Sequence, residues 1–186
     1  MSGRIATRLR TLGINLPAAA SPQGAYVPWV KSGSLLFVSG QITMGPNGLE
    51  YVGTVGKEIN VEEAKQAARL AALNIIAQAA SALDGDLDRV TRVVKLTGFV
   101  NAAPEFGQHP EVVNGASELF VEIFGECGRH SLRPACPCRE RSQRKPRRFE
   151  PGPRWRGPRR EFWFSIAQHR WHRSARNRPW VAGLAR

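Results

Sequence analysis

At 186 residues the chain has room for one domain with something attached to it. It carries 27 Lys and Arg against 15 Asp and Glu, a formal charge of +12, yet its first 126 residues hold 10 basic and 12 acidic groups, so the whole excess lies in the last 60. Four of the five Trp and all three Cys also lie beyond residue 126. An odd cysteine count without an export signal argues against a disulfide framework, and no run approaches the roughly 20 apolar residues that cross a bilayer. A cytoplasmic protein without a membrane partner is therefore expected.

In chain order, Ser2 is placed to cap a short helix through about Thr11, with Ile5, Leu9 and Leu12 on one stripe and Arg4, Arg8 and Arg10 on the solvated face. Residues 16–22 form an Ala/Pro loop. Residues 26–31 read as a strand, 32–34 (Ser-Gly-Ser) as a tight turn, and 35–42 as its hairpin partner. Residues 44–48 make a second turn. Asn60, with Glu63 three residues on, predicts a capping box at the head of the longest helix. In that helix Val61, Ala64, Ala68, Ala72, Leu73, Ile76, Ala80 and Leu83 recur at helical spacing, and the small side chains imply a close approach to a sheet.

Asp84-Gly85-Asp86 stops the helix, and residues 90–100 read as a central strand, apolar on both faces. Pro110 opens a second core helix running to about Phe124, with Asn114-Gly115 inside it. Glycine there costs about 1 kcal/mol against alanine, which suits a place where backbones come close. The alternation predicts an α+β fold: a single sheet covered on one face by two helices, with an N-terminal helix. A further strand pair should follow. From Cys127 the pattern loses its period instead, and residues 131–186 read as an irregular, disordered, basic tail rich in Arg, Pro and Trp. Its only apolar run is 161–167, an aggregation liability if exposed.

Within 35–42 (Leu-Leu-Phe-Val-Ser-Gly-Gln-Ile) an apolar strand gives way to Ser39 and Gly40. A glycine lets a ligand approach the backbone, and the hydroxyl beside it supplies a hydrogen bond. Ala25-Tyr26-Val27, then 36–42, the Ala-rich helix, 94–101 (Val-Lys-Leu-Thr-Gly-Phe-Val-Asn) and 113–117 (Val-Asn-Gly-Ala-Ser) together resemble the YjgF/Rid family, in its branch labelled L-PSP endoribonuclease or chorismate-mutase-like. The resemblance spans about residues 4–130. It implies a chorismate-mutase-like subunit that forms homotrimers, with ligand sites between subunits and no cofactor. The activity implied is hydrolysis of reactive enamines and imines to 2-oxo acids and ammonia, or binding of a related small carboxylate; some members are labelled ribonucleases. Carried over, Ser39 and Gly40 become the catalytic pair that contacts ligand and water, with Tyr26 and Asn114 lining the same cleft.

The resemblance breaks at its charged end. The branch continues Gly-Arg-His into a strand reading Ala-Arg-Ser-Ala, whose arginine clamps the substrate carboxylate, and a later strand supplies a glutamate that orients water. Here residues 128–130 are Gly-Arg-His, but Ser-Leu-Arg-Pro-Ala follows. Arg133, the candidate substrate-binding arginine in its place, stands three residues past the histidine instead of two, a slip that turns a strand residue to the other face, and no glutamate takes the water-orienting role. Losing one GC dinucleotide from CAC GCT CGC TCC GCC (His-Ala-Arg-Ser-Ala) yields CAC TCG CTC CGC C, which reads His-Ser-Leu-Arg. A frameshifted tail is therefore expected, with activity impaired. The rival reading takes the basic, aromatic tail as an arm for non-specific RNA binding in an endoribonuclease or RNA-binding protein. Cys127, His130, Cys136 and Cys138 do not follow a usual zinc spacing, so no metal site is expected, and no catalytic histidine is supported.

Overall fold

Asn60 starts α2 (Val61–Ala82): its side chain accepts the Glu63 amide while the Glu63 carboxylate accepts the Asn60 amide, both at 2.9 Å. This is the predicted capping box, satisfying donors that a helix start leaves orphaned. The computed structural model describes residues 3–22, 24–135 and 163–171. The inner side of α2 is largely alanine, fully buried at Ala64, Ala67, Ala68, Ala71 and Ala72, and α3 (His109–Phe124) lies against it. The two backbones touch at Gly115, where an added Cβ would collide with the Lys65 carbonyl oxygen and stand 2.9 Å from its carbon. Here the glycine inside a helix has its reason: the helices could not come this close with any other residue.

The first helix is α1 (Arg4–Thr11), with Gly3 at its N-cap position; Ser2, the expected cap, lies outside the described residues. The Asp88 carboxylate, far along the chain, accepts the amides of Arg4 and Ile5, both at 2.7 Å, and places negative charge at the positive end of the helix. Ile5 and Leu9 are buried as the stripe requires.

The helices cover one face of a mixed sheet of β1 (Trp29–Ser32), β2 (Leu35–Gln41), β5 (Val90–Val93), β6 (Lys95–Phe99), β7 (Ser131–Ala135) and β8 (Trp163–Trp171). A miniature hairpin of β3 (Met44–Gly45) and β4 (Gly48–Leu49) stands apart, at the predicted second turn. The sheet order is β1-β2-β8-β6-β7, with β5 also paired to β8. β6 and β7 run parallel, and the other pairings are antiparallel. The expected α+β architecture, a sheet with helices on one face, is the one observed.

Three details differ. Residues 26–28 precede the first strand, which begins at Trp29. The predicted strand over 90–100 is two strands broken at Val94, whose carbonyl accepts the Ser131 amide at 3.0 Å. And the stretch read as an irregular tail contains β7 and β8. Without β8, the facing sides of β2 and β6 would present unpaired backbone. The run at 161–167 overlaps that strand, and the basic residues after it hid the alternation. Among the described residues no helix is long and apolar enough to cross a membrane.

Candidate functional site

Leu36 and Val38 of β2, and Leu96 and Gly98 of β6, are buried under the helices. Alternation therefore turns Phe37, Ser39, Lys95, Thr97 and Phe99 to the sheet's other, open face. Val30, in register with Phe37, is 49% exposed and Phe99 37%, so that face carries exposed apolar side chains that no other described element covers.

Ser39 and Gly40 form a bulge in it. Val38 pairs with Ile166 and Gln41 with Phe164, so two β2 residues oppose the single β8 position 165. Such an insertion disrupts the ladder and re-aims a side chain. The Ser39 amide donates to the Pro28 carbonyl at 2.9 Å, and its hydroxyl to the Val27 carbonyl at 2.6 Å. The hydroxyl proton is thus committed to the main chain and not to a base, leaving the oxygen as an acceptor for water or an N–H group. Gln41 donates its side-chain amide to the Ser39 and Gly40 carbonyls, at 3.1 and 3.3 Å, bracing the bulge. Tyr26 belongs to the same end of the molecule: it directly precedes Val27 and is 49% exposed.

The other two expected residues lie elsewhere. Asn114 is exposed on α3, in the helical layer, next to the Gly115 contact. Arg133 is in register with Thr97 on β7, at the far side of the sheet; its side chain is outside the described residues. Three strand spacings separate β2 from β7, roughly 14 Å. One chain therefore gathers Tyr26, Ser39 and Gly40 and keeps Arg133 and Asn114 apart from them.

The register adds a residue that sequence reasoning passed over. Position 165, which opposes the Ser39-Gly40 bulge, pairs with Thr97, and Thr97 pairs with Arg133. One row across four strands thus holds Ser39 and Gly40, Ser165, Thr97 and Arg133. The alternation in 95–99 signals that Thr97 leaves the core, but only strand pairing puts it in that row.

His130 leads into β7 with its ring edge-on to Phe120, 6.2 Å between centroids. Burial pushes its pKa below the usual 6.5, partly opposed by its contact with the Ser131 carbonyl. Cys127 packs against the core, while Cys136 and Cys138 lie outside the described residues. Among the described residues no three His, Cys, Asp or Glu are placed to hold a metal. His109 meets Phe106 edge-on, 5.2 Å between ring centroids.

Residues 6–136 match the family model described as "YjgF/chorismate mutase-like, putative endoribonuclease". The chain is 50% identical over 131 residues to Protein TCP17 of Trypanosoma cruzi, covering 70% of this chain and 81% of that one. Among solved structures it is similar to the protein Atu1372 of unknown function from Agrobacterium tumefaciens: 37% identity, TM-score 0.72, over 90% of this chain and 92% of that one. A "putative endoribonuclease" from Shewanella oneidensis is similar at 32% identity and TM-score 0.71, over 89% of this chain and 99% of that one. Taken with the sheet, its one-sided helical layer and the ordered sequence blocks, these matches show that the chain belongs to the YjgF/chorismate mutase-like family.

Proposed function

We propose that the chain binds a small 2-imino or 2-enamino acid between copies of itself, in a homotrimer, and hydrolyses it to the 2-oxo acid and ammonia. The observation that carries this reading is the Ser39-Gly40 bulge on the sheet face opposite the helices, with the hydroxyl proton held by the Val27 carbonyl. A serine so tied is a poor nucleophile and a good positioning group for water. The reaction needs no more than that: the water oxygen adds to the imine carbon as the π pair moves to nitrogen, which takes a proton. The carbinolamine then loses ammonia as its C–N bond breaks and its hydroxyl proton departs. Nothing is oxidised or reduced.

The roughly 14 Å between β2 and β7 exceeds the reach of a three- or four-carbon acid. Ser39 of one copy and Arg133 and Asn114 of another are therefore read as the two halves of one cleft. The apolar open face around Val30, Phe37 and Phe99 is the surface that copies would cover. With no glutamate assigned to orient the water, turnover is slow. An out-of-frame tail from residue 131 accounts for that loss, and the nucleotide sequence tests it: the alternate frame should encode Ala-Arg-Ser-Ala after His130.

The test of function is release of 2-oxo acid from 2-aminoacrylate generated in situ, with native mass measured on the same sample. Expected are a trimer and a weak acceleration over buffer that Ser39→Ala removes. A monomer without acceleration would overturn the reading, as would acceleration that Ser39→Ala leaves intact. RNA cleavage without imine hydrolysis would favour the ribonuclease reading instead.

A further inference from the structure

We infer that Gln41 is the positioning residue of the Ser39-Gly40 bulge: its side-chain amide locks both peptide planes that flank Gly40, and so fixes where the Ser39 oxygen holds water. The inference rests on the reading proposed above and names the group that organises its site in advance. The Ser39 carbonyl belongs to the peptide plane before Gly40, and the Gly40 carbonyl to the plane after it. Gln41 donates to both, at 3.1 and 3.3 Å. The two planes turn against each other only through φ and ψ of the residue between them. One donor shared by the two carbonyls therefore restrains both angles of Gly40.

Gly40 is where a restraint is needed. Glycine opens the backbone to a ligand but also has the widest choice of φ and ψ, and the bulge takes residues 39 and 40 out of the regular ladder with β8. On either side the chain is held. Val38 is buried and in register with both Trp29 and Ile166. Beyond the bulge, the buried Asn74 of α2 donates to the Ile42 and Met44 carbonyls, both at 3.0 Å. Gln41 thus stands on a fixed base and reaches back over the segment that most needs fixing. Ties to Val27 and Pro28 hold the Ser39 hydroxyl and amide; Gln41 holds its carbonyl. A misplacement of about 1 Å at a positioned reactant costs roughly a hundredfold in rate. Because Gln41 acts through the main chain, its loss falls on turnover and not on affinity.

The experiment measures steady-state hydrolysis of 2-aminoacrylate generated in situ by the full chain, with amide hydrogen exchange on the same samples, for wild type, Gln41→Met and Gln41→Glu. Gln41→Met keeps the length and removes the donor; Gln41→Glu keeps the length and sets an acceptor against two carbonyls. In Gln41→Met kcat should fall about tenfold with KM within about twofold, and in Gln41→Glu it should fall further. Exchange should quicken at residues 39–41 and stay as in wild type at 35–37. Unchanged kcat in Gln41→Met, a raised KM with kcat kept, or wild-type exchange at 39–41 would overturn the positioning role, while wild-type turnover leaves the function standing. Wild type that hydrolyses nothing would overturn the function and the effect on turnover with it; exchange then still decides whether Gln41 restrains Gly40.

Discussion

Alanine at position 115 puts a methyl group into the Lys65 backbone. Its carbon would stand 2.9 Å from the Lys65 carbonyl carbon and 3.0 Å from its Cα, and closer still to the oxygen. Ordinary contact begins near 3.4 Å, and the obstacle is main chain in mid-helix, which cannot swing aside. Relief requires α3 to move outward by roughly 1 Å, opening gaps along an interior packed like a solid. Overpacking of this kind costs about 3 kcal/mol where backbone must move, and replacing a helical glycine returns about 1 kcal/mol. The net loss of about 2 kcal/mol corresponds to a melting point lower by roughly 4–8 °C for a chain of this size. The ion pairs beside the contact, Arg69 to Glu122 and Lys65 to Glu111, limit how far the helices part. Gly107→Ala is the matched control: an added Cβ there meets nothing within 4 Å, so that change should be neutral or stabilise by a few tenths of a kcal/mol. Thermal and urea unfolding followed by circular dichroism reads both. If Gly115→Ala melted at or above the wild-type temperature while Gly107→Ala behaved as stated, the close helix contact, and with it the reason for this glycine, would be refuted.

Asp88→Ala removes both carboxylate bonds to the start of α1. It should cost about 1 kcal/mol and speed hydrogen exchange at Arg4 and Ile5, and exchange like wild type would show that the cap contributes nothing. His130 tests the pH dependence. Since burial lowers its folded pKa below 6.5, the unfolded chain takes up the proton first as pH falls. The stability from keeping it neutral is therefore complete above about pH 6.5 and lost below it. The drop in urea midpoint from about pH 7.5 to pH 5.5 should be smaller in His130→Asn than in wild type; equal drops would refute the assignment.

Much of this protein is local and was legible as such. The capping box at Asn60 and Glu63, the stop at Asp84-Gly85-Asp86, the start of α3 at Pro110 and the hairpin through Gly33 each depend on a few neighbouring residues, and each forms where their chemistry directs. Periodicity likewise marked the buried side of α3 and one stripe of α2 at Ala64, Ala68, Ala72, Ile76 and Ala80, but Val61 and Leu73 are only partly buried, and Ala67, Ala71, Ile75 and Ala79 are buried too, because α2 packs against both the sheet and α3. The block pattern carried the family as well, since it is a property of residue order.

What tertiary structure alone decided is pairing between distant segments. Nothing near Gly3 announces that Asp88 caps α1, because the cap arrives from another turn of the chain. The break at Val94 stands where the Ser131 amide meets its carbonyl and the parallel pairing with β7 begins. The slot between β2 and β6 takes Trp163–Trp171, although the composition around that run reads as irregular, because open backbone in the middle of a sheet costs more than an untidy strand. The site follows the same division. Ser39 and Gly40 were legible as a strand edge, but the bulge that re-aims them, the place of Thr97 in their row and the distance of Arg133 from Ser39 are matters of register, which one segment cannot specify without the strand beside it.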